Sequence, residues 1–192
     1  MLQNESECRR KMKTKQTQKT LIAEALEAAK VYRTGAIKYL RKAADAGFAG
    51  AQANLGVIYY EGKLAPRDLK ESARWFQLAA DQGNSRAIYN LGVMYRDGQG
   101  VPRDDSEAFH LFQRDAEKNR YTPAQNNLGA MYYRGQGVPK DPVLAYMWVS
   151  LAADAGFEPS RKLLQKIGEG MTPDQISEAK QKAQDWTKAH GH

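Results

Sequence analysis

A single cysteine, Cys8, in 192 residues excludes an internal disulfide. Nothing in the composition calls for an oxidising compartment. No apolar run approaches the roughly 20 residues that a membrane-spanning helix needs. The first twenty residues, MLQNESECRRKMKTKQTQKT, are basic but have no apolar stretch like that of a secretory leader. A cytoplasmic setting is therefore expected, although an exported protein stripped of its leader would begin in the same way. Chemistry-bearing residues are few. Histidine occurs three times, as His110, His190 and His192, and the last two end the chain. Paired-cysteine spacings, His-Glu-x-x-His and Gly-x-Ser-x-Gly are all missing. Cys8 has basic neighbours that would lower its pKa, but no base stands beside it. No catalytic residue, metal ligand or cofactor site is expected.

The charge balance is uneven. The net charge is +7, and residues 1–20 hold six basic side chains (Arg9, Arg10, Lys11, Lys13, Lys15 and Lys19) against Glu5 and Glu7. That surplus of four leaves only three for the other 172 residues. The body is near neutral, and residues 1–19 read as a solvated, flexible basic tail. Such a tail could touch nucleic acid or an acidic lipid surface. It lacks the interleaved aromatics that would make this the leading reading.

What the chain has in quantity is repetition. Leu55-Gly56, Leu91-Gly92 and Leu128-Gly129 recur at spacings of 36 and 37. Ala51, Ala87 and Ala124 stand four residues before each Leu, and Tyr59, Tyr95 and Tyr132 four after it. Pro66, Pro102 and Pro139 follow, then Asp68, Asp104 and Asp141. Each unit ends on Trp75, Leu111 or Trp148 and then Ala79-Ala80, Asp115-Ala116 or Ala152-Ala153. His110 is matched by Arg74 and Met147, so the repeat makes no chemical use of that position.

Each unit reads as two helices. Ala51, Leu55, Ile58 and Tyr59 share one helical face, and Ser72, Trp75, Phe76, Ala79 and Ala80 share another. A mid-helix Gly costs about 1 kcal/mol relative to Ala. Its recurrence implies a neighbouring helix that approaches too closely for a side chain.

The loop YRDGQGVPRD, echoed as YRGQGVPKD and YEGKLAPRD, admits two readings. A Gly-x-Gly step beside arginines suits a phosphate cradle, and it equally suits an inter-helix turn. Gly62, Gly98 and Gly135 fall where a left-handed C-cap is wanted. Asp68, Asp104 and Asp141 fall at the next N-cap, with Glu71 and Glu107 placed for capping boxes and Pro142 at N1. A carboxylate at the helix N-terminus would repel the phosphate that end otherwise attracts. The loop reads as a turn.

These stretches, from AQANLGVIYYEGKLAPRD through AQNNLGAMYYRGQGVPKD, resemble the Sel-one-like repeat, a relative of the tetratricopeptide repeat. About a dozen positions match in register over Ala51 to Gly156. The departures are Ser72 for Ala, Leu111 for Trp, Leu64 for Gly and Asn119 for the closing Gly. The flanks read as degenerate repeats. Ala36 to Gly47 matches a second helix with Tyr39 in the Trp position, preceded by a first helix near Thr20 to Tyr32. PSRKLLQKIGEG reads as another first helix. MTPDQISEAKQKAQDW, with Thr172, Pro173 and Gln175 forming a helix start, is similar to the final capping helix of bacterial members.

The resemblance implies an all-α, right-handed superhelical solenoid of about ten helices in five antiparallel pairs. The expected organisation is a tail over 1–19, a degenerate N-terminal pair over 20–50, and repeats over 51–86, 87–123 and 124–159. A degenerate C-terminal capping pair over 160–192 completes it. The implied function is non-catalytic protein–protein interaction, as an adaptor or scaffold that binds a peptide or partner protein, with no small-molecule substrate, on the concave face lined by the first helices. By the same resemblance Val57, Tyr60, Tyr89, Val93, Arg96, Asn126, Tyr133 and Arg134 face that groove, with Ala53, Glu61, Asp97 and Ala130 beside them. Tyr and Arg are enriched in interface hot spots, whereas the competing reading packs the tyrosines against the next repeat. Asn54, Asn90 and Asn127 are expected to bond the backbone of an adjoining helix. The rival functions are a nucleic-acid or membrane-surface role for the tail, or a hydrolase that works through His110 or Cys8.

Overall fold

The structure, a computed structural model, describes residues 35–118 and 121–190. Nine helices and no strand occur among the described residues. The first, α1, covers 35–45. It is followed by α2 (Ala49–Glu61), α3 (Leu69–Asp81), α4 (Ser85–Asp97) and α5 (Asp105–Lys118). Then come α6 (Thr122–Arg134), α7 (Pro142–Asp154), α8 (Glu158–Gly168) and α9 (Pro173–His190). The expected helix near Thr20 to Tyr32, the basic tail and Cys8 lie outside the described residues.

From α2 to α8 each helix packs on the next in sequence, and the first helices α2 and α4, and α6 and α8, also touch. This stepwise contact makes a solenoid, in which a unit buries its apolar face only against its neighbours. The Leu of each Leu-Gly pair is in the core: Leu55, Leu91 and Leu128 are all at most 1% exposed. The Gly beside it is where the paired helix arrives. A β-carbon on Gly92 would lie 2.8 Å from Cε1 of Phe112, and one on Gly129 would lie 2.5 Å from Cγ2 of Val149. In the first unit Ser72 replaces the usual Ala at this crossing, and its buried Oγ donates to the Gly56 carbonyl at 2.7 Å.

The loops are turns. Gly62, Gly98 and Gly135 are left-handed C-caps, with φ of 70°, 65° and 69°. The carboxylates of Asp68, Asp104 and Asp141 accept from the N–H groups of Glu71, Glu107 and Leu144 at 3.0, 3.0 and 2.9 Å. Only half of each expected capping box forms at Glu71 and Glu107. The N–H of each capping Asp donates backwards instead, to the carbonyls of Tyr59, Tyr95 and Tyr132 at 3.0, 3.0 and 3.1 Å. That bond ties the start of the second helix to the end of the first. The complete box is at α9, where Thr172 and Gln175 exchange both bonds.

The second Gly of Gly-x-Gly has a separate purpose. A β-carbon on Gly100 would run into the carbonyl of Leu69, and one on Gly137 into that of Asp105. Each loop therefore presses on the first turn of the preceding unit's second helix. Leu64, at this position in the first unit, is 47% exposed.

The two ends differ from the regular units, and the expected pairing of the last two helices needs correction. Tyr39 holds the Trp position in register yet is 73% exposed, whereas Trp75 is 2% exposed. Trp75 packs back onto the two preceding helices through Ala44 of α1 and Leu55 of α2; the residues that would play this part for Tyr39 precede the described ones. At the other end, α8 and α9 do not pack on each other as the earlier pairs do. Both pack on α7. Accordingly α7 is apolar on nearly every side, with Ala145, Met147, Trp148, Val149, Ser150 and Ala152 buried.

Candidate partner-binding face

The residues singled out for the groove lie on α2, α4 and α6, the first helices of the three regular units. Ala53 and Ala130, expected beside the groove residues, are 2% and 7% exposed and belong to the core. Val57 and Val93 are half-buried against the clusters beneath them.

Tyr60 is half-buried, and its hydroxyl donates to Oε1 of Gln99 in the next unit's loop at 2.6 Å. Arg67 lies over its ring, 5.8 Å from the centroid, while its Nε donates to the Tyr60 carbonyl at 3.1 Å. Tyr89 is also half-buried, with its ring 5.8 Å from that of Phe112 and 5.5 Å from that of Tyr121. Tyr60 thus spends part of its surface on the next unit's loop, and Tyr89 spends part of its own on the second helix of its unit and on the residue that precedes α6; both remain partly exposed.

Arg96 is half-buried, and its guanidinium grips Asp97 through two bonds of 2.7 and 2.9 Å. The bond to Asp97 raises the arginine's pKa above its ordinary value against the opposing effect of burial, and Tyr89 and Tyr60 are among its electrostatic neighbours. The same bond lowers the Asp97 carboxyl. Tyr60, Tyr89 and Arg96 therefore share one neighbourhood, and its cation already holds a carboxylate. An incoming acidic group meets an oriented guanidinium fork and competes for it.

One unit further, Tyr133 and Arg134 line a recess of about 430 Å³ with Lys140 and Pro142. Tyr133 packs against the buried cluster of Ala145, Val149 and Ile167, as do Tyr146 and Leu164. Asn126 is engaged across the unit boundary, where its Oδ1 accepts from Oγ of Ser160 at 2.9 Å.

The asparagine expectation fails at Asn54 and Asn90. Asn54 accepts from the side chain of Arg86 at 3.4 Å, and Asn90 donates to the carbonyl of Arg86 in its own helix at 2.7 Å. On the first helices, a polar residue that does reach an adjoining backbone is the buried Gln52, whose Nε2 donates to the Ala44 carbonyl at 3.1 Å. Gln99, Arg67 and Lys140 lie against the candidate residues and were missed. Their signal was periodicity in the loops, since Gln99 recurs as Gln136 and a basic residue precedes each capping Asp. His110 is exposed on α5 with its ring against Phe109, and His190 stacks on Trp186 at 4.4 Å. Among the described residues no group of His, Cys, Asp or Glu is arranged to hold a metal. No described helix is long and apolar enough to cross a membrane.

A solenoid of helix pairs closed by glycines and capped by aspartates defines a helical repeat protein. The Sel1 repeat family matches residues 30–48, 49–84, 85–119 and 122–157, more than half of the chain, which therefore belongs to that family. Among solved structures the chain resembles a protective antigen present in uropathogenic Escherichia coli strains that displays an SLR fold. The identity is 33% and the TM-score 0.73, over 79% of this chain and 32% of that one. The chain thus spans about a third of that protein's length. It also resembles a Sel1 repeat protein from Oxalobacter formigenes, at 38% identity and TM-score 0.61, over 67% of this chain and 96% of that one. No curated protein matches the chain.

Proposed function

We propose that this chain is a non-catalytic interaction module that holds an extended peptide, or the surface of a partner protein, on the face of its first helices. The observation that carries this reading is the neighbourhood of Tyr60, Tyr89 and Arg96. There two tyrosines, one held by the next unit's loop and the other by Phe112 and Tyr121, lie within electrostatic reach of a guanidinium oriented by Asp97. Anchored aromatics lose little conformational entropy on binding, and an oriented Arg recognises a carboxylate bidentately. Tyr133, Arg134 and Lys140 extend the same chemistry by one unit. The preferred ligand carries apolar side chains interspersed with acidic ones.

The test uses the whole chain, immobilised to recover a partner that is then identified and titrated. Arg96→Ala combined with Tyr133→Ala is expected to weaken binding by about 2 kcal/mol or more, the scale of a hot spot. Arg74→Ala with Lys70→Ala, on the exposed side of α3, is expected to leave it intact. If the α3 pair abolishes binding and the groove pair leaves it unchanged, the recognition face has been misassigned.

A further inference from the structure

Because α8 and α9 both pack on α7 and not on each other, they leave a cleft of about 490 Å³ between them, floored by α7. Tyr146 and Leu151 of α7, Leu164 of α8 and Ala183 of α9 give it an apolar lining. The α9 wall presents Lys180, Ala183, Gln184, Thr187 and Lys188. These follow the i, i+3, i+4, i+7, i+8 pattern of a single helical face. Lys180 and Lys188 are exposed, and neither has an ion-pair partner among the described residues, whereas the nearby Lys182 is engaged by Glu178 at 3.5 Å. Asp154 is the one acidic residue of the lining, so the rim keeps a net positive charge.

We infer that this cleft is a second docking site, separate from the first-helix face, and that it takes an acidic amphipathic helix from a partner protein. Such a helix would place its apolar residues on Leu151 and Leu164 and its carboxylates against Lys180 and Lys188. The two lysines are eight residues apart, about 12 Å along α9 at 1.5 Å per residue. That matches carboxylates two turns apart on the incoming helix. The floor excludes water from the apolar contact, and the two ammonium groups set direction and register, as in other helix-in-groove complexes. Charge complementarity selects this occupant over a basic or neutral one.

The test titrates the isotope-labelled full chain with a synthetic helical peptide that has leucines four residues apart and glutamates eight apart. A control peptide carries lysine for glutamate. The expected result is saturable shifts of the Leu151, Leu164 and Thr187 resonances with the glutamate peptide alone. Lys180→Glu with Lys188→Glu should weaken that binding at least tenfold while leaving the melting temperature unchanged, since both side chains are exposed. Equal binding of the lysine peptide, shifts confined to α2, α4 and α6, or no saturable shift would each overturn the inference. Shifts confined to those first helices would support the proposed interaction face at the same time, so the two readings fail separately.

Discussion

The ring of Phe76 lies directly on the α-carbon of Gly56: a β-carbon there would stand 2.5 Å from Cδ1 and 2.6 Å from Cε1. Phe112 covers Gly92 and Val149 covers Gly129 in the same way. The helix pair can approach this closely only because one partner has no side chain at the crossing.

Gly92→Val is therefore expected to destabilise the fold far more than Gly98→Ala. The valine would overpack the contact with Phe112, a cost of about 1–3 kcal/mol or more. The alanine at Gly98 bears mainly the cost of a left-handed conformation, about 1 kcal/mol, with its nearest neighbour the β-carbon of Arg103 at 3.3 Å. Urea midpoints in the reverse order would contradict this placement.

The two glycines of Gly98-Gln99-Gly100 are expected to differ. Both have positive φ, but a side chain on Gly100 would strike the backbone carbonyl of Leu69, which cannot rotate away. Gly100→Ala should lower the melting temperature well beyond Gly98→Ala. Equal effects would mean that this loop does not bear on the preceding unit.

The units, their helices, the C-cap glycines and the capping aspartates were all legible in the sequence, because each is a local requirement repeated in register. The close crossing at the Leu-Gly pairs was legible for the same reason. What escaped was non-local. The path of α9 depends on which face of α7 is left apolar, and the clue lay in differences between repeats. Glu71 and Arg74 on α3 correspond to Leu144 and Met147 on α7, so the outer face of the third repeat is greased where the first is charged. Read as a consensus, the repeats average that signal away. At the candidate face, the repeat resemblance pointed to Tyr60, Tyr89 and Arg96, which interact electrostatically, but periodicity on one helix could not reveal that Gln99 and Asp97 engage two of them.

Acid sensitivity should be traceable to Glu71. Hydrogen bonding from Arg74 lowers its carboxyl below the ordinary value of 4.5, against burial, with the Arg74 and Arg41 charges adding to it. A depressed folded pKa means stabilisation that is present above the unfolded value and lost as pH falls through the folded one. Glu71→Gln should therefore cost stability near neutral pH and cost progressively less below pH about 4. Urea denaturation of both proteins at a series of pH values would show the difference shrinking. A constant difference would place the role of Glu71 in packing.

Removal of everything after Gly156 should do more than shorten the protein. The indole of Trp186 packs edge-on against Trp148 with centroids 5.5 Å apart, and Ala183 joins the cluster of Phe109, Met147 and Trp148. Without α8 and α9 these surfaces of α7 meet water, and an exposed apolar face of this kind drives association. The truncated chain is expected to aggregate. A less drastic variant separates covering from length: Met147→Arg installs the residue that the first repeat carries at this position, on a face that α9 now buries to 6% exposure. Burying that charge without a partner should loosen α9 while leaving α2 to α6 folded. Trp186 fluorescence should shift to the red, and amide exchange should rise along α9 before it rises along α4. A truncated chain that stays monomeric and melts cooperatively, or a Met147→Arg protein with unchanged exchange along α9, would show that α9 is dispensable as a cover.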